Sequence, residues 1–225
     1  MSGDHRPGWR ENSRVFDEYA AEYDRWFDES LLFEIERTAL QTILPPDWRP
    51  SLEIGVGPGR FAQAMHTTFG LDPAQAPLHL AGQRGIITCQ GQAEALPFRS
   101  NSLQGIALLF TLCFLASPRQ ALDECARVLK ADGQLMLGFV PAQSVWGQTL
   151  EKKKKANHPF YRTARFQTVA RLRTILQDSG FKISQSCSTL YQKPGQVTTP
   201  ETPEPGLDEQ AGFVALLCGP NSIGQ

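Results

Sequence analysis

A glycine-rich segment early in the chain constrains the fold more than any other feature of the sequence. Gly55, Gly57 and Gly59 follow Ser51–Ile54, which has the character of a short buried strand, and precede a short helical segment at 60–65. Glycines in such a turn permit positive φ angles and let the backbone approach a ligand closely. The pattern predicts a strand–turn–helix unit with a ligand at the turn.

Strand-like and helix-like segments alternate beyond this turn. Further strands are predicted at 68–71, 85–89, 105–110, 134–140, 181–190 and 212–218, helices at 119–130 and 167–179, and a loop rich in proline and threonine at 193–210. Such alternation is typical of a doubly wound α/β domain with right-handed crossovers.

The domain organisation follows from the same patterns. A single domain is predicted over 14–218, with amphipathic N-terminal helices at 14–45 and a polar, cap-like insertion at 141–166. Residues 1–13 are expected to be flexible, and 219–225 are expected to form a C-terminal tail. The chain is long enough to bury one continuous core.

The bulk composition narrows the classes of partner. The chain of 225 residues has a formal net charge of −1, so no overall positive field attracts nucleic acid or an anionic membrane. The five cysteines lack metal-ligand spacing, and no apolar run reaches the roughly 18 residues of a membrane span. The N-terminus lacks the apolar core of a signal peptide. We therefore expect a cytoplasmic monomer or homodimer with a small-molecule partner, no metal, and no nucleic-acid or membrane partner.

Two acidic residues favour a ligand without phosphates at the glycine turn. Glu53 precedes the first glycine, where a carboxylate would repel a pyrophosphate but attract an ammonium or a sulfonium. Asp72 follows the second strand, where a carboxylate accepts hydrogen bonds from ribose hydroxyls. Arg60 occupies the third-glycine position of a dinucleotide fingerprint. The alternative is structural: a tight connection at the turn, and a helix-capping Asp72 before Pro73.

Four segments resemble those of a known family. Leu52–Phe61 (LEIGVGPGRF) resembles the first motif of class I S-adenosylmethionine-dependent methyltransferases. Ala93–Phe98 (AEALPF) resembles the "AExLPF" segment of the methyltransferase type 11 group, and Ala121–Gly138 is similar to that group's helix and fifth strand. Phe16–Phe27 is similar to the helix that often covers the cofactor there.

This resemblance implies both a fold and a reaction. The fold would be a seven-stranded, mostly parallel sheet of order 3-2-1-4-5-7-6, with strand 7 antiparallel and an N-terminal helical lid. The reaction would be methyl transfer from S-adenosylmethionine to oxygen, nitrogen, sulfur or carbon of a small acceptor, releasing S-adenosylhomocysteine. The cofactor-binding residues would be Glu53, Gly55, Val56, Gly57, Gly59, Asp72, Pro73, Gln92, Ala93, Glu94, Phe110 and Thr111.

The sequence departs from the family pattern at two positions. Gln92 and Gln104 stand where the group usually has aspartates. The Gln92 amide can still accept a hydrogen bond from the adenine amino group, but without charge. These departures leave open a non-catalytic S-adenosylmethionine-binding regulatory module. A nicotinamide-dependent oxidoreductase is the other alternative, which Arg60 and Glu53 disfavour.

The sequence points to no single catalytic residue, because methyl transfer depends mainly on alignment and exclusion of water. Catalytic candidates, chosen for their expected position above the cofactor, are Tyr23, Thr111, Cys113, His158 and Tyr161. Acceptor-binding candidates are Tyr23, Phe160, Tyr161 and Arg165. An alternative for the insertion is that Phe160 anchors it and its arginines face water. Lys152–Lys155 are interpreted as a solvated helix face.

Overall fold

The computed structural model describes residues 9–221 and places its helices around one central sheet. The helices are α1 (Trp9–Glu18), α2 (Ala20–Arg25), α3 (Leu31–Thr42), α4 (Arg60–Ala64), α5 (Gln75–Gln83), α6 (Pro118–Val128), α7 (Val145–Lys155) and α8 (Val169–Asp178). The strands are β1 (Ser51–Ile54), β2 (Phe69–Asp72), β3 (Ile87–Gln90), β4 (Leu103–Leu109), β5 (Leu129–Phe139), β6 (Phe181–Thr189), β7 (Glu204–Pro205) and β8 (Phe213–Pro220). None of the helices within 9–221 is long and apolar enough to span a membrane.

The sheet has the order β3-β2-β1-β4-β5-β8-β6-β7. Strands β1 to β5 pair in parallel, and β8 inserts antiparallel between β5 and β6. This confirms the expected order, with β8 as the antiparallel seventh strand. The difference is an eighth, two-residue edge strand, β7, which pairs with Cys187 and Ser188 inside the segment predicted as a loop. A strand of two residues is too short to show the alternation of apolar and polar side chains that predicts a strand, and the surrounding segment is rich in proline.

Helices cover both faces of the sheet. Side chains alternate between the faces along each strand. Leu108 of β4 therefore packs in one cluster with Leu122 of α6, whereas Leu109 packs in another with Leu40 of α3. The two layers bury the central strands on both sides, as the continuous apolar run in β4 predicts.

The N-terminal segment corrects one expectation. Helix α1 begins at Trp9, inside the segment that was expected to be flexible; residues 1–8 lie outside the described part of the chain. Burial of Val15 and the hydrogen bond from the Ala76 N–H to Asp17 (2.8 Å) attach α1 to the start of α5. Helix α5 itself was missed by the sequence analysis.

Two boundaries also differ from expectation. Helix α6 ends at Val128 and β5 begins at once, so Asp132 and Gly133 lie within the strand segment, at a register shift against β4, rather than ending the helix. Strand β8 continues to Pro220, into the predicted C-terminal tail, because its last residues pair with Phe181 and Lys182 of β6.

The absence of a side chain at Gly105 is expected to matter for stability. A Cβ atom there would lie 2.5 Å from the ring of Trp48, which is 3% exposed and cannot move aside easily. Gly105→Ala should lower the free energy of unfolding by about 1–3 kcal/mol through overpacking. Chemical denaturation measures this loss.

Gly219→Ala in β8 is the matched control, because a Cβ atom there meets nothing within 4 Å. Its free energy of unfolding should stay within about 0.5 kcal/mol of wild type. Equal losses for the two variants would contradict this account of the packing at Trp48.

Candidate active site

The carboxyl ends of the central parallel strands enclose a cavity of about 120 Å³, the strand-end cavity. Helices α1 and α2 cover it, so the expected N-terminal lid is present. Its lining residues are Trp9, Ser13, Phe16, Tyr23, Ile54, Gly55, Gly57, Leu71, Asp72, Pro73, Gln92, Ala93, Glu94, Leu109, Phe110, Thr111, Phe114, Leu115 and Ala116.

Most of the predicted cofactor residues meet at this cavity. Those lining it are Gly55, Gly57, Asp72, Pro73, Gln92, Ala93, Glu94, Phe110 and Thr111. Glu53, Val56 and Gly59 do not line it: Val56 belongs to a small apolar cluster shared with α4 and α5, and Gly59 faces Ala81 of α5. Their positions correct the expectation that every residue of the turn faces the ligand.

Gly55 is required by the neighbouring strand. Its φ is +71°, and a Cβ atom there would lie 2.3 Å from the Thr111 hydroxyl oxygen. That hydroxyl lies 3.0 Å from the carbonyl oxygens of both Ile54 and Leu109, to which it donates. The Thr111 side chain therefore fastens the end of β1 to the end of β4, and its proton is already committed to backbone.

Gly59 makes room for the packing of α5. Its φ is +83°, and a Cβ atom there would lie 2.9 Å from the Cβ atom of Ala81. Any larger residue would push α5 away from the turn. The alternating glycines thus serve different neighbours, which explains a spacing unlike that of a dinucleotide fingerprint.

Asp72 lies at the end of β2 with both carboxylate oxygens bonded to backbone. Oδ2 accepts from the Gly57 N–H (2.9 Å) and Oδ1 accepts from the Ala74 N–H (2.8 Å). Burial raises the pKa of Asp72 to about 6, against the lowering effect of these two bonds. Each carboxylate oxygen retains a lone pair for a further donor.

Glu53 lies in β1, in the sheet rather than in the cavity wall. It is 2% exposed, and its Oε2 has no hydrogen-bond partner among residues 9–221. Burial, followed by the nearby charge of Asp72, raises the pKa of Glu53 well above its usual range. Glu53 therefore lies behind the turn as a buried carboxyl group and does not line the strand-end cavity.

A charge cluster holds the lid against the glycine turn. Asp24 of α2 accepts from Arg60 (2.7 Å) and Arg84 (2.8 Å), and Arg84 also donates to the Pro58 carbonyl (2.8 Å). Burial acts to raise the pKa of Asp24, but the bonds from both arginines outweigh it and the pKa is lowered. We call Asp24, Arg60 and Arg84 the lid clamp.

The AEALPF segment is held by hydrogen bonds to α6. Glu94 accepts from the Ser117 N–H (3.1 Å), so its carboxylate faces the helix start, although the residue still lines the cavity. Glu124 accepts from the Leu96 N–H (2.8 Å) and pairs with Arg127. The sequence analysis missed Glu124 and Arg127, which lie on the exposed side of an amphipathic pattern.

Gln92 and Gln104 have separate environments. Gln92 lines the strand-end cavity, whereas Gln104 lies near the start of β4, at the opposite edge of the sheet, where its amide donates to the Asp132 carbonyl (3.4 Å). The departure at Gln104 therefore lies away from the strand-end cavity, whereas Gln92 lines it.

A second, larger cavity of about 390 Å³ adjoins the first, and we call it the aromatic chamber. Its walls come mainly from α2, α3, α7 and the segments after β4 and α7. The lining residues are Phe16, Tyr23, Trp26, Phe27, Ser30, Leu32, Phe33, Glu36, Phe110, Leu112, Cys113, Phe114, Phe139, Val140, Trp146, Leu150, Lys153, His158, Phe160, Tyr161, Phe166, Gln167, Leu172, Leu190 and Gly212.

The predicted acceptor residues divide between two places. Tyr23, Phe160 and Tyr161 line the aromatic chamber, as do Cys113 and His158. Arg165 does not: it lines a separate surface pocket, and its backbone N–H donates to the Cys113 carbonyl (2.7 Å). Arg165 is therefore the acceptor candidate that does not line the aromatic chamber.

Phe160 anchors the insertion to the lid as well as lining the chamber. Its ring is buried and contacts those of Phe16 (5.3 Å), Tyr23 (5.6 Å) and Trp26 (4.9 Å, between centroids). Phe160 therefore packs as an anchor, as the structural alternative predicts, and its role in acceptor binding stays a prediction.

The ionisable groups of the chamber wall are mostly neutral at neutral pH. Burial raises the pKa of Cys113 and of Tyr161 to about 12, and the Cys113 thiol donates to the Phe110 carbonyl (3.2 Å). Burial lowers the pKa of His158. Cys113 therefore supplies no thiolate. Glu36 also lines the chamber, and the sequence analysis missed it.

Comparison with known proteins gives a consistent result. The family model described as a methyltransferase domain matches residues 52–137. An uncharacterized protein of Mycobacterium tuberculosis is 37% identical over 201 residues, which cover 88% of this chain and 70% of the relative. One from Methanocaldococcus jannaschii is 34% identical over 203 residues, covering 90% and 97%.

A solved structure from Thermotoga maritima is similar throughout. It superposes with a TM-score of 0.85 at 32% identity, covering 91% of this chain and 97% of that one. That protein is described as an S-adenosylmethionine-dependent methyltransferase and a possible histamine N-methyltransferase. The chain belongs to the class I S-adenosylmethionine-dependent methyltransferases.

The strand-end cavity of this methyltransferase fits the cofactor of its family. Asp72 retains lone pairs for the two ribose hydroxyls, and Leu71 and Ala93 give apolar surface for an adenine. Arg60, by contrast, is engaged by Asp24 and Asp28, so it offers no group to a pyrophosphate. S-adenosylmethionine is therefore the cofactor, which removes the nicotinamide alternative.

The pKa of Asp72 predicts a pH dependence of cofactor binding. A carboxylate at this position can accept hydrogen bonds from the ribose hydroxyls, and its protonation would remove acceptor capacity. Because the pKa is about 6, affinity for S-adenosylhomocysteine should fall as the pH drops through that value. The slope should approach about tenfold per pH unit, measured by titration calorimetry between about pH 5 and 8. Asp72→Asn should bind weakly and without this dependence; a pH-independent wild type would contradict the role of Asp72.

The lid clamp predicts a second effect. Asp24→Asn removes the charge shared by Arg60 and Arg84, and should weaken S-adenosylhomocysteine binding about tenfold, since hydrogen bonds to charged groups contribute about 1.5–3 kcal/mol. Asp28→Asn is the control, because among the residues that the structure describes Asp28 pairs only with Arg60, and its side chain is 56% exposed. Calorimetry should show a much smaller loss for this control, and unchanged affinity in Asp24→Asn would disprove the clamp.

Proposed function

We propose that this methyltransferase transfers the methyl group of S-adenosylmethionine to a small organic acceptor bound in the aromatic chamber. The supporting observation is that the strand-end cavity and the chamber share the same wall. Phe16, Tyr23, Phe110 and Phe114 line both. A methyl group presented at this shared wall would face an acceptor in the chamber.

Phe110 is held in place at the boundary between the two cavities. It ends β4 with a φ of +56°, a conformation that is strained for a non-glycine residue and typical of functional sites. Its ring stacks on the buried ring of Phe213 (5.1 Å, 29°), and its N–H donates to the Gly138 carbonyl (2.7 Å). These contacts fix the width of the boundary.

The residues of the two cavities would act by alignment and desolvation. When bound, S-adenosylmethionine supplies an activated methyl group on a sulfonium. The aromatic rings of the chamber position the acceptor and exclude water, and Tyr23 closes the boundary over Gly57, at 3.6 Å from the site of a Cβ atom there. Holding two reactants in line contributes up to about 7–11 kcal/mol. No nucleophilic side chain is required.

A methyl-transfer assay tests this proposal. Purified protein is incubated with S-adenosylmethionine and a panel of aromatic amines including histamine, phenols, thiols and quinols, and S-adenosylhomocysteine formation is followed by mass spectrometry. We expect turnover with at least one acceptor class. Tight cofactor binding without turnover on any member would favour the regulatory module instead.

A variant of the chamber separates acceptor binding from cofactor binding. Leu150→Trp fills part of the chamber outside the strand-end cavity, and should raise the acceptor KM about tenfold or more while leaving S-adenosylhomocysteine affinity unchanged. Gln148→Trp, on the exposed side of the same helix, is the matched control. An unchanged KM in Leu150→Trp would place the acceptor elsewhere.

A further inference from the structure

Glu36 is a buried acid with no partner inside the aromatic chamber. It lies on α3, is 7% exposed, and lines the chamber wall. Within residues 9–221, no N–H or O–H group donates to its carboxyl group and no cation pairs with it. Its neighbour Glu34, in contrast, is exposed and pairs with Arg37. Buried charged groups without partners are rare in proteins, because desolvation is costly.

The surroundings of Glu36 suit a cation. Aromatic rings dominate the chamber wall, including Trp26, Phe27, Phe33 and Phe160. Ring faces attract an ammonium group, and the attraction is strongest when the cation is desolvated. A cavity with many ring faces and one carboxyl group is therefore matched to an organic cation.

Among the described residues that line the chamber, Glu36 is the only carboxylic acid. Tyr23 and Tyr161 have raised pKa values, chiefly through burial, and Cys113 is a thiol. Burial lowers the pKa of His158, and its buried Nδ1 has no hydrogen-bond partner in the described part of the chain. Lys153 lies at the rim, with its Nζ atom 5.8 Å from the centroid of the Tyr161 ring.

We propose that Glu36 binds the protonated amino group of the acceptor, and that this methyltransferase is thereby selective for arylalkylamines, which carry an alkylammonium group beside an aromatic ring. The proposal deepens the function proposed above and rests on it. Glu36 is positioned to form an ion pair with the ammonium while the rings of the chamber hold the aromatic part. It also gives the buried acid the partner that the described residues do not supply.

The same contact would prepare the nitrogen for reaction. The Glu36 carboxylate takes one proton from the R–NH₃⁺ group, giving a carboxylic acid and R–NH₂. The freed lone pair forms the N–C bond as the C–S bond breaks, and the electron pair of that bond stays on sulfur. The products are R–NH₂⁺–CH₃ and S-adenosylhomocysteine. Burial raises the pKa of Glu36 to about 8, which brings its basicity closer to that of an amine.

Binding of an amine should be accompanied by proton release. Because the pKa of Glu36 is about 8, the carboxyl group is mainly protonated at pH 7 in the free chamber. An ammonium ion brings its own proton, so formation of the ion pair expels the proton of Glu36. About one proton should be released per amine bound, and none per neutral ligand.

The test compares 2-phenylethylamine with 2-phenylethanol on the protein saturated with S-adenosylhomocysteine. Calorimetry in buffers of different ionisation enthalpy gives the affinity and the number of protons released. We expect a preference for the amine of at least about tenfold, with about one proton released at pH 7. Glu36→Gln should lose both, whereas Glu34→Gln should retain both, because Glu34 lies outside the chamber.

The outcomes separate this inference from the function on which it rests. Failure to bind S-adenosylhomocysteine would contradict the cofactor site itself. If the cofactor product binds but the amine shows no preference, no proton release, or no binding at all, the role of Glu36 is overturned while transfer to a neutral acceptor stands. These wild-type measurements do not depend on how well Glu36→Gln folds, which thermal unfolding records separately.

Discussion

The close approach of Thr111 to Gly55 is the constraint on which the site depends. Only a residue without a side chain leaves room for the Thr111 hydroxyl to bond the Ile54 carbonyl. This bond joins the carboxyl ends of β1 and β4, the two central strands of the sheet. The glycine turn, Asp72 and Phe110 all lie at the carboxyl ends of β1, β4 or the adjacent strand β2. The distances between them therefore depend on the contact that joins β1 to β4. The geometry of the site is therefore determined by backbone hydrogen bonds and packing.

Each of the two cavities is lined by a buried acid with a raised pKa. Asp72 lies in the first and Glu36 in the second, and burial raises the pKa of each, to about 6 and about 8. An acid whose pKa is raised by folding makes the fold less stable as the pH rises from its ordinary pKa to the raised one, since the folded state then holds the extra proton. At neutral pH both acids thus lower the stability of the free protein. Such local cost is common at functional sites, where a ligand provides the missing partner.

The sequence predicted the sheet and the cofactor side well, and for identifiable physical reasons. Buried parallel strands are continuous apolar runs, and the glycine turn has few alternatives to a strand–turn–helix unit. Asp72 could be assigned to the site because it ends a predicted parallel strand, and open α/β sheets bind ligands at the carboxyl ends of their strands. The lid clamp was not predictable, since Asp24, Arg60 and Arg84 are brought together only by the packing of α2 on α4 and α5. Likewise, the hydrogen bond from the Ser117 N–H to Glu94 was not predictable, because it depends on where α6 begins.

The acceptor side was the least predictable because it is built from segments that share no motif. Arg165 and Tyr161 are close in sequence, yet a turn of the insertion sends one to the surface and the other into the chamber. Glu36 looked like an ordinary polar residue in an amphipathic helix, and nothing in its spacing distinguishes it from the exposed Glu34. The two differ in what the rest of the fold brings against α3: aromatic rings at one position and water at the other. In the function proposed here, acceptor choice depends on tertiary packing around a single helix, whereas the cofactor site is built at a local turn.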